Sequence, residues 1–365
     1  MSQYSLLHAA KKNCGDFLIR DAALALIRHH TNVSDDEVLT VDVVGRNLDQ
    51  ETIDSVAETD VAFLAGGPGY QPEFYPGVYP ALDDLLDVVD VVPMGPGWRG
   101  IDEETYSFTD ESVRVLERIV GQDRVPFLGA RDLPTVRILR NYGLPAELTG
   151  CPAWYYYDGY PPEAEFSPSQ SIDHIIVSTP PQNSNRYLLQ YFQLLRTLNE
   201  LFPGATIVCS FHRGKFKESL EPYVGYPWER ATYVRNTASL IYGLINSYAR
   251  RNGFELYDAS GSSEYVQRYY NADLHVGHRV HGHIPALAGG TPSFLIQIDG
   301  RGFGVSESLG TSGDVSGRSS IRGPVQEVKS SIEYNIRNNY PDFETVDQNR
   351  LQAYEKMTEL LQSAL

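Results

Sequence analysis

The sequence has few cysteines and no long apolar run, and both absences narrow the class of protein. Its three cysteines, Cys14, Cys151 and Cys209, are odd in number and include no Cys-x-x-Cys pair, so neither a disulfide scaffold nor a structural zinc site is expected. No window approaches the roughly 20 apolar residues that a membrane span needs. The N-terminal residues lack the apolar segment of a signal peptide. We therefore expect a cytoplasmic protein without a membrane span.

Lysine is also scarce, and the chain is strongly acidic. Only six of its 30 basic residues are lysines, and 47 acidic residues give a formal net charge of −17. Such a chain is a poor candidate for nucleic-acid binding, because the phosphate backbone favours basic surfaces. An anionic ligand would need a local cluster of cations. The excess of acids suits either a salt-rich cytoplasm, where salt screens self-repulsion, or an ordinary acidic cytosolic protein.

The 365 residues, 42% of them hydrophobic, are enough for two domains with buried cores. In the first half, short apolar segments alternate with amphipathic patterns, which is typical of a parallel sheet covered by helices. We expect Asp16 and Asp132 to be N-caps of two helices. The predicted strands are residues 4–7, 38–44, 61–65, 91–94 and 125–129, and the predicted helices are residues 16–30, 110–120 and 133–142.

A segment rich in Tyr, Pro and Ser at residues 155–171 interrupts this pattern and is interpreted as a linker. The prediction is an α/β protein with two Rossmann-like lobes, residues 1–160 and 172–340, and a C-terminal helix within 341–365 that could return to the first lobe. Ligands should bind where the parallel strands end. The second series has predicted strands at 174–178, 206–210, 254–257, 274–276 and 293–298, and predicted helices at 186–201, 237–250 and 282–288.

Two glycine-containing segments follow predicted strands. In residues 13–16 (Asn-Cys-Gly-Asp), Gly15 would let the backbone approach an anion at a helix N-terminus; taken alone, a simple turn explains the segment as well. Residues 65–72 (AGGPGYQP) have Pro72 where a dinucleotide loop needs its third glycine, so NAD binding is rejected. This segment is predicted to be either a rim of the site or a structural turn. No P-loop motif is present.

Several cations also follow predicted strands. Arg131, next to Asp132, could bind a carboxylate or phosphate through its planar guanidinium, or could form a surface ion pair. Arg301 suits either a site or a solvated loop. His212 and Arg213 are candidates of the same kind, with a solvent-facing loop as the alternative.

Four histidines fall within nine residues: His275, His278, His281 and His283. Their spacing matches no standard zinc pattern, and a strand end followed by a helix start would prevent them from facing one point. We predict instead that Arg279 and His281 reach a helix N-terminus near Gly282. There a cation, an imidazole and backbone amides would bind one anion. The other three histidines are expected to pack structurally or to be exposed.

In this order, the segments resemble the polysaccharide pyruvyl transferase family. The resemblance spans roughly residues 10–310, and the ordered set of motifs is more specific than any one of them. The matching segments are Asn-x-Gly-Asp at 13–16, Arg-Asp with a later Leu at 131–139, Gly-Cys-Pro-Ala at 150–153, Arg-x-His-Gly at 279–282 and Ala-Leu with Gly-Thr-Pro at 286–292.

The resemblance implies a two-lobed, GT-B-like fold. It also implies transfer of a pyruvyl group from phosphoenolpyruvate to a saccharide or lipid-linked glycan, forming a ketal and releasing phosphate, with no metal or further cofactor. Arg131 and Arg279 are then predicted to bind the donor, and His281 to act as acid, base or phosphate ligand. Further residues expected at the donor site are Asn13, Gly15 and Gly282, with supporting roles for Asp16, Asp132, His212 and Arg301.

Two alternatives stay open. The same architecture would serve a GT-B glycosyltransferase that uses a nucleotide-sugar, with the anion site holding its diphosphate. It would also serve a non-catalytic saccharide-binding protein.

Overall fold

The computed structural model describes residues 3–11, 13–31, 33–34, 37–155, 166–180, 184–212 and 237–365, with the backbone alone for residues 237–242. Most of the predicted linker and Arg213 lie outside these residues. Every strand pair in the described part of the chain is parallel. The α/β prediction is therefore confirmed.

The strands of the first half are β1 (Tyr4–His8), β2 (Val38–Asp42), β3 (Val61–Tyr70), β4 (Val91–Trp98), β5 (Leu128–Ala130) and β6 (Ala146–Leu148). The first four form a sheet in the order β2-β1-β3-β4, and β5 and β6 form a short pair beside β4. The helices are α1 (Cys14–Thr31), α2 (Gln50–Ala57), α3 (Leu82–Leu85), α4 (Asp110–Val120) and α5 (Leu133–Asn141). Both faces of this sheet are buried, as expected where helices cover parallel strands.

The second half contains β7 (His174–Ser178), β8 (Thr206–Phe211), β9 (Glu255–Asp258), β10 (Leu274–Gly277), β11 (Ser293–Gln297) and β12 (Val315–Ser316). They form one sheet in the order β12-β11-β10-β7-β8-β9. The helices are α6 (Asn185–Leu201), α7 (Thr237–Arg251), α8 (Gln267–Tyr270), α9 (Val280–Ala288), α10 (Gly300–Leu309), α11 (Gly323–Arg337) and α12 (Val346–Ala364). The order changes direction at β7 and β10, where crevices for ligands form in such sheets.

The two predicted helix caps have different outcomes. Asp132 is the N-cap of α5, and its Oδ1 accepts a hydrogen bond from the Thr135 N–H at 3.0 Å. The prediction for Asp16 is wrong, because α1 begins at Cys14 and places Asp16 inside the first turn. There Asp16 Oδ1 accepts a bond from Asn13 Nδ2 at 3.1 Å instead.

The glycine-rich segment at residues 65–72 is mostly strand rather than turn. Strand β3 continues to Tyr70, and β4 continues to Trp98, with Gly67 paired to Pro96 and Tyr70 paired to Trp98. Both aromatic side chains are buried. The sheet hydrogen bonds and this burial outweigh the low strand propensity of glycine and proline. The end of β3 consequently consists of three glycines and one proline, residues 66–69, with little side chain.

The C-terminal helix α12 contacts both halves of the molecule. It lies against α1, β4 and β6 of the first half and against α10 of the second. Its buried face includes Met357, Leu360 and Leu361, and Arg124 Nη1 donates to the Ala364 carbonyl at 3.2 Å. No helix among the described residues is long and apolar enough to cross a membrane.

Candidate active site

A cleft of about 340 Å³ lies where the parallel strands of both sheets end. It is the size of a small-molecule site. A second cavity of about 30 Å³ shares Arg279 and His281 with this cleft and is also lined by His278 and Gln297. The polar side chains that line the cleft come from both halves of the chain: His8, Asn13, Asp16, Arg20, Gln71, Tyr79, Arg99, Arg279, His281, Asp299 and Arg301.

Asn13 joins the two halves at this cleft. Its Nδ2 lies 3.1 Å from Asp16 Oδ1 and 3.3 Å from His281 Nδ1. An amide nitrogen is a donor only, so Nδ1 of His281 acts as the acceptor. A neutral His281 ring held in this way carries its hydrogen on Nε2. Asn13 thereby determines the tautomer of the imidazole and also fixes its orientation.

Gly15 allows this approach of the two halves. A Cβ atom at Gly15 would lie 1.7 Å from Nδ1 and 2.0 Å from Cγ of His281. The imidazole therefore packs directly on the backbone of the first turn of α1. Next to it, the Cys14 N–H donates to the His212 carbonyl at 3.3 Å. Burial raises the pKa of the Cys14 thiol to about 12, so it is protonated and unreactive at neutral pH.

Arg279 is the N-cap residue of α9 and is held by the backbone of the second lobe. Its Nε donates to the Thr179 carbonyl at 2.8 Å, and its Nη2 donates to the Pro180 carbonyl at 3.2 Å. Its backbone N–H donates a hydrogen bond to Ser178 Oγ at 3.3 Å. These bonds fix a cation at the start of a helix, where the macrodipole also favours an anion.

Asp299 and Arg301 form a closed ion pair at the start of α10. Arg301 Nε lies 2.9 Å from Asp299 Oδ1, and Nη2 lies 2.6 Å from Oδ2. Burial alone would raise the pKa of Asp299, but its hydrogen bonds with Arg301 lower the pKa below the usual value. The pair therefore stays ionised and supplies donors to the cleft with little net charge.

Arg131 does not line the cleft, in contrast to its predicted role in binding the donor. Its side chain is buried, with Nε 3.1 Å from Asp132 Oδ2 and Nη2 donating to the Trp98 carbonyl at 3.1 Å. Burial raises the pKa of Asp132, although Arg131 opposes that shift. The nearby end of β4 covers the guanidinium, because a Cβ at Gly97 would lie 2.5 Å from Arg131 Nη2. In this structure the guanidinium is therefore not exposed to the cleft.

The Arg131–Asp132 pair instead supports the junction between the halves. A Cβ at Gly304 of α10 would lie 2.6 Å from Asp132 Cγ, so this helix packs directly on the pair. The Leu133 N–H donates to Ser308 Oγ at 2.8 Å across the same junction. Asp299 is the N-cap of α10 and Arg301 lies in its first turn, so the buried pair packs against the helix that carries these two residues of the cleft.

The four histidines do not all face one point, as expected, although His275 and His283 share Ser293 as a partner. His275 lies 2.6 Å from Ser293 Oγ, His278 lies 3.1 Å from Gln190 Oε1, and His283 lies 2.8 Å from Ser293 Oγ. All three are buried, and burial lowers the pKa of each, that of His278 to about 3 with a smaller contribution from Arg279. Among the described residues, no cluster of three or more His, Cys, Asp or Glu could hold a metal.

Two further predicted residues lie beside the cleft rather than in it. His212 is buried, with Nε2 2.6 Å from the Tyr269 hydroxyl, and burial, followed by the nearby Arg279, lowers its pKa well below the usual value. Gly282 has a packing role, because a Cβ there would lie 2.8 Å from His275 Nε2. Both residues support the segment that carries Arg279 and His281.

Sequence reasoning missed three basic residues that line the cleft: His8, Arg20 and Arg99. His8 ends β1, and Arg99 follows β4, so both occupy the strand-end positions that were expected to carry function. The sequence predicted that β4 ends at residue 94, but it continues to Trp98, so the first residue after the strand is Arg99. Arg99 is exposed and forms no ion pair with any described residue. It is an exposed cation of the first half that lines the cleft, whereas Arg131 is buried.

Two parallel sheets with a cleft at their strand ends define a GT-B-like protein, and solved structures share this fold. A UDP-GlcNAc 2-epimerase from Methanocaldococcus jannaschii is 11% identical, with a TM-score of 0.57 and coverage of 98% of this chain and 99% of that one. The UDP-GlcNAc 2-epimerase from Neisseria meningitidis, solved with UDP-GlcNAc, is 12% identical with a TM-score of 0.55, covering 99% and 100%. S. aureus MnaA, solved with UDP, is 12% identical with a TM-score of 0.56, covering 98% and 95%.

A family model narrows this class. The model described as polysaccharide pyruvyl transferase matches residues 13–300, which begin at Asn13 and include His281 and Arg279. The chain belongs to the polysaccharide pyruvyl transferase family, as its motifs predicted. No curated protein matches the chain significantly.

Proposed function

We propose that this protein transfers a pyruvyl group from phosphoenolpyruvate to a saccharide, forming a pyruvate ketal and releasing phosphate. The observation that carries the proposal is the meeting of Asn13 and His281 in a cleft that also contains Arg99 and Arg279. In a chain with a net charge of −17, this concentration of cations is suited to an anionic ligand.

Phosphoenolpyruvate carries a carboxylate and a phosphate, and both groups suit arginine forks. Arg279 lies at a helix start in the second half, and Arg99 approaches from the first. We assign these two residues as the donor clamp. This assignment replaces Arg131 by Arg99 and retains Arg279 from the sequence-based prediction.

The reaction needs a proton at the vinyl carbon of phosphoenolpyruvate. One sugar hydroxyl adds to C2 while C3 is protonated to a methyl group. The C2–O bond to phosphate then breaks, a second sugar hydroxyl adds to C2 and loses its proton, and the ketal is complete. The two sugar hydroxyls lose two protons in total. One is balanced by the new C–H bond at C3, and the other goes to phosphate or solvent.

His281 is the residue assigned to supply the proton. With Nδ1 accepting from Asn13, the neutral ring carries its hydrogen on Nε2 and can donate a hydrogen bond from there to the phosphate. The form that transfers a proton to C3 is the imidazolium, in which both ring nitrogens carry a hydrogen and Nδ1 no longer accepts from Asn13. We expect His281→Ala to lose most turnover, on the order of 10²-fold or more, while the fold survives. Phosphate release measured with folded protein checks this, and intact turnover would show the assignment to be wrong.

A glycosyltransferase or other enzyme acting on a nucleotide-sugar is the second candidate, since the UDP and UDP-GlcNAc complexes named above share the fold. The distinguishing experiment measures phosphate released from phosphoenolpyruvate with a panel of saccharides, beside UDP released from UDP-GlcNAc. Phosphate release that depends on saccharide supports pyruvyl transfer. UDP release without phosphate release would favour the second candidate, and phosphoenolpyruvate binding without turnover would indicate a binding protein.

A further inference from the structure

A chain of buried polar side chains crosses the second half of the molecule, and no step of the proposed reaction uses it. Its members, in order of contact, are Ser178 at the end of β7, His275 in β10, Ser293 in β11, His283 in α9 and Asp314 before β12. The distances between the contacting atoms are 3.0 Å (Ser178 Oγ to His275 Nε2), 2.6 Å (His275 Nδ1 to Ser293 Oγ), 2.8 Å (Ser293 Oγ to His283 Nδ1) and 3.4 Å (His283 Nε2 to Asp314 Oδ2). All five side chains are buried, so their polar atoms need partners within the protein.

Each imidazole of this chain is neutral and carries one hydrogen. Burial lowers the pKa of His275 well below its usual value, and the nearby His283 adds to this shift. Burial also lowers the pKa of His283, although Asp314 opposes the shift. A neutral ring has one N–H donor and one acceptor nitrogen. The position of that hydrogen therefore determines the direction of the hydrogen bonds on both sides of each ring.

Asp314 sets this direction at one end of the chain. A carboxylate accepts hydrogen bonds and donates none. Its Oδ1 accepts from the Leu295 N–H at 2.6 Å, and its Oδ2 lies 2.6 Å from Ser306 Oγ and 2.5 Å from Thr311 Oγ1. The 3.4 Å between His283 Nε2 and Oδ2 is long for a hydrogen bond, but the carboxylate would repel a ring lone pair at this distance. The hydrogen of His283 therefore lies on Nε2.

The other hydrogens of the chain follow from this one. Nδ1 of His283 must accept, and its partner is the Ser293 hydroxyl. The Ser293 oxygen then accepts from Nδ1–H of His275, whose Nε2 in turn accepts from the Ser178 hydroxyl. Each hydroxyl and each ring donates once, always toward Asp314. The hydrogen of Ser178 is thereby used by His275, and the Ser178 oxygen acts as an acceptor.

Ser178 uses this oxygen to hold Arg279. The Arg279 N–H donates to Ser178 Oγ at 3.3 Å, while its Nε and Nη2 donate to the carbonyls of Thr179 and Pro180 at 2.8 and 3.2 Å. Three successive residues thus fix both the backbone and the guanidinium of the N-cap residue of α9. The packing is tight, because a Cβ at Gly277 would lie 2.2 Å from Ser178 Oγ. A change at the Ser178 hydroxyl therefore acts directly on the start of α9.

We infer that Ser178 is a positioning residue for Arg279, and that the chain ending at Asp314 orients the Ser178 hydroxyl so that its oxygen accepts from the Arg279 N–H. The chain does not supply protons to the reaction, since it ends at a peptide N–H, which donates hydrogen bonds and is not an acid at neutral pH. The inference rests on the proposed function only for the ligand of Arg279, phosphoenolpyruvate.

NMR of the ring nitrogens tests the direction of the chain. Protein labelled with 15N-histidine should show His275 in the Nδ1–H form and His283 in the Nε2–H form, with signals assigned through His275→Gln and His283→Gln. Asp314→Asn keeps the shape of the side chain. Because its oxygen must still accept from the Leu295 N–H, its amide would donate toward His283 Nε2. The chain should then reverse, and His275 should carry its hydrogen on Nε2. An Nε2–H form of His275 in the wild type, or an unchanged form in Asp314→Asn, would overturn the inference.

Ser178→Ala tests the positioning role. It removes the acceptor of the Arg279 N–H, so hydrogen exchange of this amide should accelerate about tenfold or more. The KM for phosphoenolpyruvate should rise about fivefold to tenfold, the effect of one hydrogen bond, with the saccharide KM unchanged. Ser5→Ala is the matched control, because Ser5 is also a fully buried strand serine. Its Oγ lies 2.8 Å from Thr59 Oγ1, near the start of β1 and away from the strand end at the cleft. This control should lose stability but keep the exchange of the Arg279 N–H and both KM values.

The failures are distinguishable. If the folded wild type neither binds nor turns over phosphoenolpyruvate, the proposed function falls, while the ring tautomers and the exchange of the Arg279 N–H still decide this inference. If phosphoenolpyruvate is turned over but Ser178→Ala behaves like Ser5→Ala, this inference alone is overturned. Should Ser178→Ala fail to fold, the ring tautomers of the wild type and of Asp314→Asn decide it.

Discussion

Gly15→Ala should separate catalysis from folding. Gly15 lies in the first turn of α1 with its backbone against the His281 ring, and an alanine Cβ would lie 1.7 Å from Nδ1 and 2.5 Å from Cε1. No carbon and nitrogen that are not bonded can approach so closely, so the imidazole must move away. Its contact with Asn13 is then lost.

The expected effect on turnover is large and that on stability is small. Moving a catalytic group by about 1 Å can reduce the rate about 10²-fold, and loss of general acid catalysis costs about 10²- to 10⁴-fold. Alanine is better than glycine in a helix by about 0.5–1 kcal/mol. The lost hydrogen bond to Asn13 costs a similar amount. We therefore expect the free energy of unfolding to change by less than about 1 kcal/mol.

The assay is phosphate release under saturating phosphoenolpyruvate, with urea unfolding of the same preparation. Gly243→Ala is the matched control, because Gly243 also lies in a helix and nothing lies within 4 Å of a Cβ placed there. The control should keep full turnover and gain slight stability. Normal turnover in Gly15→Ala would refute the contact between α1 and His281, and a loss of turnover in the control would show that the assay reports helix stability instead.

Three further predictions follow from the junction, the donor clamp and the buried histidines. Asp132→Ala leaves the Arg131 charge buried without its carboxylate, and urea unfolding should show a loss of about 3–5 kcal/mol; a change below 1 kcal/mol would contradict the buried pair. Arg99→Ala should raise the KM for phosphoenolpyruvate about tenfold, the effect of one charge-assisted contact, and an unchanged KM would remove Arg99 from the clamp. His278 has its pKa lowered to about 3, so the unfolded chain takes up a proton below about pH 6.5 while the folded chain does not. The free energy of unfolding should therefore fall between pH 7 and pH 4, less steeply in His278→Gln, and an equal slope in both proteins would contradict a neutral buried ring.

Much of the fold was readable from local pattern. The alternation of apolar segments and helices predicted the parallel sheets, and the cap at Asp132 follows from the residue type and its place before a helix. The continuation of β3 and β4 was not readable, because glycine and proline favour turns locally. The two strands are extended by tertiary contacts between residues far apart in the sequence. These contacts are the pairing of Gly67 with Pro96 and the burial of Tyr70 and Trp98.

The candidate site was predicted in part. Arg279 and His281 were placed correctly at the start of a helix, since a strand end and the glycines after the helix identify it. Arg131 was assigned to the ligand because it also follows a strand. Only the three-dimensional packing of Gly97 and Gly304 shows that this arginine is covered. Neither Arg99 nor His8 belongs to a recognisable sequence motif. Both are far from His281 along the chain, so the sequence alone does not predict that the three residues share a cleft.

The central claim is that phosphoenolpyruvate binds between Arg99 and Arg279. The most direct measurement is a thermal shift titration with phosphoenolpyruvate, run beside UDP-GlcNAc, on the wild type and on Arg279→Ala. A ligand at 100 times its Kd stabilises the folded state by about 2.7 kcal/mol. We predict stabilisation of the wild type by phosphoenolpyruvate that disappears in Arg279→Ala. Stabilisation by UDP-GlcNAc alone, with no response of the folded wild type to phosphoenolpyruvate, would contradict the claim.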